Sequence, residues 1–238
     1  MRQSAYFRQA MSYLLHIETA TEVCSVAVSD GPTELSRRES AEPYSHARDI
    51  TLLIARCLEE AGLGLSELVG VSVSTGPGSY TALRVGASTA KGICYALGKP
   101  LIAVDTLQSL ALEAARRLPG KPLYCPMIDA RRMEVYLALF DPKNRRLEDP
   151  RSLVISADAF DAYWERGEEI VFCGNGAPKC RPVLSAPGAS FVPVVCSASL
   201  LIPLAWEAFQ KGQWADLAYF EPHYQKPPNI TTPKKRPF

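Results

Sequence analysis

No stretch of this chain approaches the roughly 18 consecutive apolar residues that a membrane-spanning helix requires. The first ten residues carry two arginines but no apolar signal core, so secretion is not expected. Histidine is scarce: His16, His46 and His223 lie far apart, and none pairs with another at the i, i+4 spacing of a helical metal site. H-E-x-x-H, G-x-S-x-G, G-x-x-x-x-G-K-[ST] and G-x-G-x-x-G are all missing, which removes the readiest readings as metalloprotease, serine hydrolase, P-loop ATPase or dinucleotide enzyme. A Ser or Cys nucleophile has no visible base. Charge of one sign is lacking too. With 26 Lys+Arg against 25 Asp+Glu, the net charge is +1 and offers no broad footprint for nucleic acid. The seven cysteines never form a C-x-x-C pair and sit mostly in apolar stretches, as reduced thiols of a soluble, cytoplasmic protein do.

What is present is a globular composition, 47% apolar and 21% charged over 238 residues. That length suits one domain or two small ones. Met11 opens the first apolar run, so residues 1–10 read as an extension ahead of the fold or as the product of an upstream start. Apolar runs at 13–17 and 23–29 flank a polar turn and read as a hairpin, followed by a more polar strand at 34–39. Ser45 is placed to cap a helix whose Ile50, Leu53, Ile54, Cys57, Leu58 and Ala61 share one face, and Gly62 ends it. A buried strand at 69–74, a glycine turn, a long helix at 79–97, a strand at 101–104 and a helix at 106–118 complete a βββαβαβα order. After Leu118-Pro119-Gly120-Lys121-Pro122 the pattern restarts, with a strand pair at 123–128 and 133–140, a strand at 152–155, a helix at 157–166 and a strand at 170–173. A shift of 111 positions lays Ile17-Glu18 on Ile128-Asp129, so each half opens with an apolar strand, an acid, a tight turn and a second apolar strand. A helix at 198–211 and a basic, proline-rich tail from Lys226 to Phe238 follow.

The sharpest local feature is Ser74-Thr75-Gly76-Pro77-Gly78-Ser79, where a strand meets a helix. Exposed amides at such a helix start suit an anion, and a tight turn needing φ > 0 or close packing explains the glycines equally well. Glu18 and Asp129 can hold a metal or orient a water, or simply cap the amides of their turns. Neither following turn contains the glycine that close phosphate approach needs. Ala82, Gly86 and Ala90 recur every fourth position and would let another helix come close.

Three segments in order, residues 14–27, 76–86 and 128–136, resemble the bacterial TsaB (YeaZ) family: LLHIETATEVCSVA, GPGSYTALRVG and IDARRMEVY. The resemblance implies an actin-like, Hsp70-like ATPase fold of two ribonuclease-H-like lobes, each built on a mixed five-stranded sheet flanked by helices. The expected division is an N-terminal lobe at 11–118, a reduced C-terminal lobe at 121–225 and an extended tail at 226–238. It further implies a role in forming threonylcarbamoyladenosine beside the anticodon of tRNA, as the non-catalytic partner of TsaD, with the ATPase TsaE joining them. On this reading the chain binds no cofactor alone; ATP and a metal belong to the partner subunits, and tRNA is met through the complex. Catalytic relatives carry H-x-x-x-H where this chain has Thr106 and Leu110, neither of which can replace an imidazole. Glu18 stands where the family usually has aspartate, and Gly174-Asn175-Gly176 is the one glycine-rich candidate in the second half.

The expected TsaD-facing residues are His46, Ile50, Leu53 and Cys57 on the first helix and Tyr80, Arg84, Ala87, Ala90 and Lys91 on the second, a face that also permits a homodimer. Thr19, Thr21, Gly76, Gly78 and Ser79 are the expected anion or nucleotide contacts, and no metal ligand or catalytic residue is expected. The alternative is an independent nucleotide-dependent phosphotransferase of the sugar-kinase type, which ATP binding by the isolated chain would reveal.

Overall fold

A computed structural model describes residues 11–226; the expectations for residues 1–10 and for the tail beyond Lys226 lie outside it. Ten strands form two five-stranded sheets. The first contains β1 (Tyr13–Glu18), β2 (Ser25–Asp30), β3 (Thr33–Glu39), β4 (Gly70–Ser74) and β5 (Leu101–Val104), in the order β3-β2-β1-β4-β5. The second contains β6 (Leu123–Asp129), β7 (Glu134–Phe140), β8 (Arg146–Val154), β9 (Ile170–Cys173) and β10 (Ala189–Phe191), in the order β8-β7-β6-β9-β10. In both, the opening strand pairs antiparallel with the second and parallel with the fourth. The duplicated hairpin is therefore matched by a duplicated sheet. This is the actin-like ATPase fold, two mixed sheets with helices against them.

In the first half α1 (His46–Ala61), α2 (Tyr80–Leu97) and α3 (Thr106–Arg117) fall where the apolar periodicity puts them. Gly62 and Gly98 end α1 and α2 at φ 68° and 61°, left-handed positions that glycine enters without a Cβ penalty. Ser45 precedes α1, but its hydroxyl donates to the Glu42 carbonyl (2.8 Å) and caps no helix amide. Asp105 supplies a true cap, accepting the Gln108 amide at 2.9 Å at the start of α3.

The second half departs further from its expected elements. β8 runs over nine residues because it is an edge strand whose charges and Pro150 disguise it. The helix expected at 157–166 shrinks to one turn, α4 (Asp161–Trp164), and the short α5 (Ala177–Cys180) has no periodicity to betray it. The helix at 198–211 divides into a 3₁₀ turn, Ala198–Leu201, and α6 (Ile202–Gln210), with Pro203 in the first turn of α6 where its missing N–H costs little.

The helices are exchanged between the sheets. One face of the first sheet packs on α1 and α2 through Leu15, Ile17, Ile50, Leu53, Ile54 and Ala90. Its other face, with Leu14, Ile102 and Val104, is covered by Leu201 and Ala205 from the chain's last third. In return, Leu107, Leu110, Ala111 and Ala114 of α3 pack on Tyr124, Ile128, Phe140 and Val171 of the second sheet. The segment after residue 197, assigned from sequence to the C-terminal lobe, thus lies on the first sheet. Ala215 bridges Leu101, and the His223 amide reaches the Thr75 carbonyl at 2.7 Å. Periodicity reports which face of a helix is apolar; it carries no information on which sheet that face will cover.

Candidate functional site

The glycine turn and the β1–β2 turn are pressed together. Gly76 has φ 89°, and a Cβ there would lie 2.8 Å from Leu83 Cδ1. A Cβ on Gly78 would overlap the Ala20 carbonyl, and one on Gly86 would overlap the Thr19 hydroxyl. The Ser79 amide donates to that Ala20 carbonyl at 2.8 Å, and the Gly76 amide donates to Thr106 Oγ1 at 3.2 Å. Of the expected anion contacts, Gly78 and Ser79 meet the backbone of the β1–β2 turn at Ala20, Thr19 meets α2 at Gly86, and Thr21 lies instead beside His46 and Cys196. The close approach that glycine permits is made by the chain's own backbone, and the amides of Gly76 and Ser79 already have acceptors.

The second glycine turn repeats this arrangement. Gly174 has φ 88° and sits against the Met127 carbonyl, which accepts the Gly176 amide at 2.9 Å. Between these glycines, Asn175 accepts the Asp129 amide through Oδ1 (3.0 Å) and donates from Nδ2 to Glu22 (3.1 Å), joining the hairpin turns of the two halves. Sequence reasoning missed that bridge; its one signal was a polar residue between the two glycines.

Glu18 and Asp129 both cap their turns: Glu18 Oε1 accepts the Ala20 amide and Asp129 Oδ1 the Arg131 amide, each at 2.6 Å. Their surroundings differ. Glu18 is buried, and burial pushes its carboxyl up to about 7 against the opposing amide and Ser74 hydrogen bonds. Asp129 is exposed and ion-paired with Lys179 at 2.7 Å. Among the described residues no three His, Cys, Asp or Glu side chains cluster as metal ligands would. Thr106 and Leu110, the two positions singled out by the family resemblance, have structural duties here: Thr106 bonds the Gly76 amide, and Leu110 is buried against the second sheet. A hydroxyl so engaged and a buried leucine do not fit a metal.

The expected partner-facing residues divide sharply. His46, Ile50, Leu53, Cys57, Ala87 and Ala90 are all buried, four of them in the core between sheet and helices, and of the six Ile50 and Ala87 also line surface grooves. Burial also holds the His46 imidazole below its usual range. The amphipathic stripe of α1 is its core face. The other three, Tyr80, Arg84 and Lys91, reach the surface. Lys91 Nζ holds the Ala218 and Phe220 carbonyls at 3.1 Å each, clamping the C-terminal segment along α2, while Tyr224 packs on Tyr80 with ring centroids 4.5 Å apart. The solvent side of the two helices is mixed, with Arg48, Leu52, Arg56 and Glu59 exposed on α1 and Arg84 and Tyr95 on α2. A groove of about 520 Å³ between the helices is lined by Ala47, Ile50, Thr51, Arg84, Val85 and Ser88 among others. A second groove of about 360 Å³, lined by Tyr80, Arg84, Lys91, Glu221 and Tyr224, separates α2 from the clamped segment.

Two mixed five-stranded sheets with a closed glycine turn in each half define a protein of the actin-like ATPase fold. The family model for TsaD, tRNA N6-adenosine threonylcarbamoyltransferase, matches residues 40–182, more than half the chain. The tRNA threonylcarbamoyladenosine biosynthesis protein TsaB of Escherichia coli (strain K12) is 28% identical over 220 residues, covering 89% of this chain and 93% of its own. YeaZ from Pseudomonas aeruginosa superposes with TM-score 0.74 at 27% identity, over 90% of this chain and 100% of that one. The activator of the 2-hydroxyisocaproyl-CoA dehydratase from Clostridium difficile shares the fold alone, at TM-score 0.51 and 8% identity over 84% of this chain and 96% of its own. Within the TsaD family, the chain belongs to the TsaB (YeaZ) branch.

Proposed function

We propose that this chain is a cytoplasmic, non-catalytic subunit in the formation of threonylcarbamoyladenosine on tRNA, holding a TsaD partner in its working state. The relatives named for this biosynthesis support the pathway, and no helix among the described residues is long and apolar enough to cross a membrane. The observation that carries the non-catalytic role is the use of Thr106 and Leu110 as structural residues at the positions of the family's imidazoles. On this reading TsaE joins the pair, ATP and the metal reside on the partners, and tRNA is met by the assembled complex. The groove between α1 and α2 is the proposed TsaD seat, because Ala47, Thr51 and Ser88 leave room for a partner helix beside the apolar Ile50 and Val85, with Arg84 placed to meet a carboxylate. The same face would pair two copies of this chain when TsaD is absent.

The test is reconstitution with purified TsaD and TsaE, with the modified nucleoside measured by mass spectrometry. Omitting this chain should abolish product, and this chain alone should make none. Ser88→Arg should remove co-purification with TsaD and leave the melting temperature unchanged, since Ser88 is exposed. Modification by the isolated chain would overturn the reading, and unchanged TsaD capture by the Ser88 variant would remove the groove from it. The phosphotransferase alternative gains nothing from the glycine turn, whose Ser79 amide is engaged with Ala20.

A further inference from the structure

The turn joining β6 to β7 holds two consecutive arginines in the left-handed backbone region, Arg131 at φ 72° and Arg132 at φ 51°. Glycine, asparagine and aspartate are the usual occupants of such a pair of positions. A longer L side chain there is held against its own steric preference. Strain of this kind, observed in the backbone, points toward a use for the residue that bears it. The turn is closed on itself, with the Ala130 amide donating to the Glu134 carbonyl at 3.0 Å and the Glu134 amide to the Arg131 carbonyl at 3.1 Å.

The charges around it are arranged to leave these two free. Asp129 is paired with Lys179, and Glu134 with Lys226, so both neighbouring carboxylates are already neutralised. Among the described residues neither Arg131 nor Arg132 has an ion-pair partner, and both are exposed. A chain with a net charge of only +1 therefore presents two unpaired guanidiniums at one hairpin tip. A guanidinium is planar, always charged and forked, which matches the oxygens of a phosphodiester better than any other side chain does.

We infer that the Arg131–Arg132 turn is a contact for the phosphate backbone of RNA, and, resting on the proposed function, that the RNA is the tRNA being modified. Contacts of this kind fix position and carry no sequence information. The turn would therefore orient the tRNA on the complex while leaving base recognition elsewhere.

The experiment titrates an unmodified tRNA transcript against the full-length chain, alone and with TsaD, from about 50 to about 200 mM NaCl. Replacing the pair by Arg131→Asn with Arg132→Gly should weaken binding roughly tenfold at the lower salt and flatten the salt slope by about one to two. The same variant should raise the melting temperature, because Asn and Gly relieve the left-handed strain. Arg131→Lys with Arg132→Lys should restore the slope without that gain. Unchanged affinity and slope in the Asn-Gly variant would overturn the inference, as would loss of TsaD or TsaE from the complex with tRNA binding intact, which would make the turn a protein contact. If the wild-type chain fails to capture TsaD, the functional reading falls, and the titration of the chain alone still decides whether the turn binds RNA.

Discussion

The two halves share one sheet order and one kind of glycine turn, yet they treat the acid at the end of their opening strand in opposite ways. Glu18 is buried beside Ser74 with no cation paired to it among the described residues, while Asp129 sits at the surface against Lys179. The first sheet is covered by α1, α2 and α6, whereas the second has one long helix, α3, and an aromatic layer of Phe160, Trp164, Phe172 and Phe191 beside two single-turn helices. A duplicated topology therefore keeps its backbone contacts more faithfully than its electrostatics. Backbone contacts are fixed by the sheet, and charge depends on what happens to pack above it.

The largest effect should come from the feature the halves share. Gly78→Ala and Gly174→Ala each force a methyl into a backbone carbonyl, and Gly174 also has φ 88°, so both should cost roughly 3–5 kcal/mol in urea unfolding. Tolerance of either would show that its turn is looser than described and would break the equivalence.

A smaller effect should separate the acids. Because Glu18 titrates near 7 in the folded chain and near 4.5 unfolded, the native state holds an extra proton between those values. Its burden is absent below about pH 4.5, grows through the window and is complete above about pH 7. Glu18→Gln should therefore stabilise the protein at pH 8 by as much as about 3 kcal/mol and lose that advantage by pH 4.5. Asp129→Asn should change stability by less than about 1 kcal/mol, as befits an exposed pair. Thermal melts across pH check both, and a pH-independent gain from Glu18→Gln would sink the assignment.

The smallest effect concerns the link between the halves. Asn175→Ala removes the bonds to Glu22 and the Asp129 amide and should cost about 1–2 kcal/mol by urea unfolding. No loss would mean that solvent satisfies both groups equally well.

The first half was largely legible because its strands and helices are long enough to show their period and both α1 and α2 end in glycine. In the second half, a charged edge strand and helices of four residues leave too few apolar positions to establish a period. The candidate site was legible as residue types and misread as geometry. The motif marks the glycines and the β1–β2 turn as neighbours, but nothing in it shows that Ala20 already occupies the close approach. On α1 and α2 the apolar stripe identified Ile50, Leu53 and Cys57, and a stripe of that width belongs first to the protein's own core. Asn175 and Lys91 were beyond reach because their partners lie 153 residues away at Glu22 and 129 at Phe220.

The traded helices make the polypeptide a clasp. A ribosome releasing this chain completes the first sheet at Val104, yet Leu14, Ile102 and Val104 await Leu201 and Ala205 for their cover. Through synthesis of the intervening hundred or so residues an oily surface stands open, the kind of exposure that chaperones answer. Among the described residues, the last helix in chain order thus closes over the first sheet to be made.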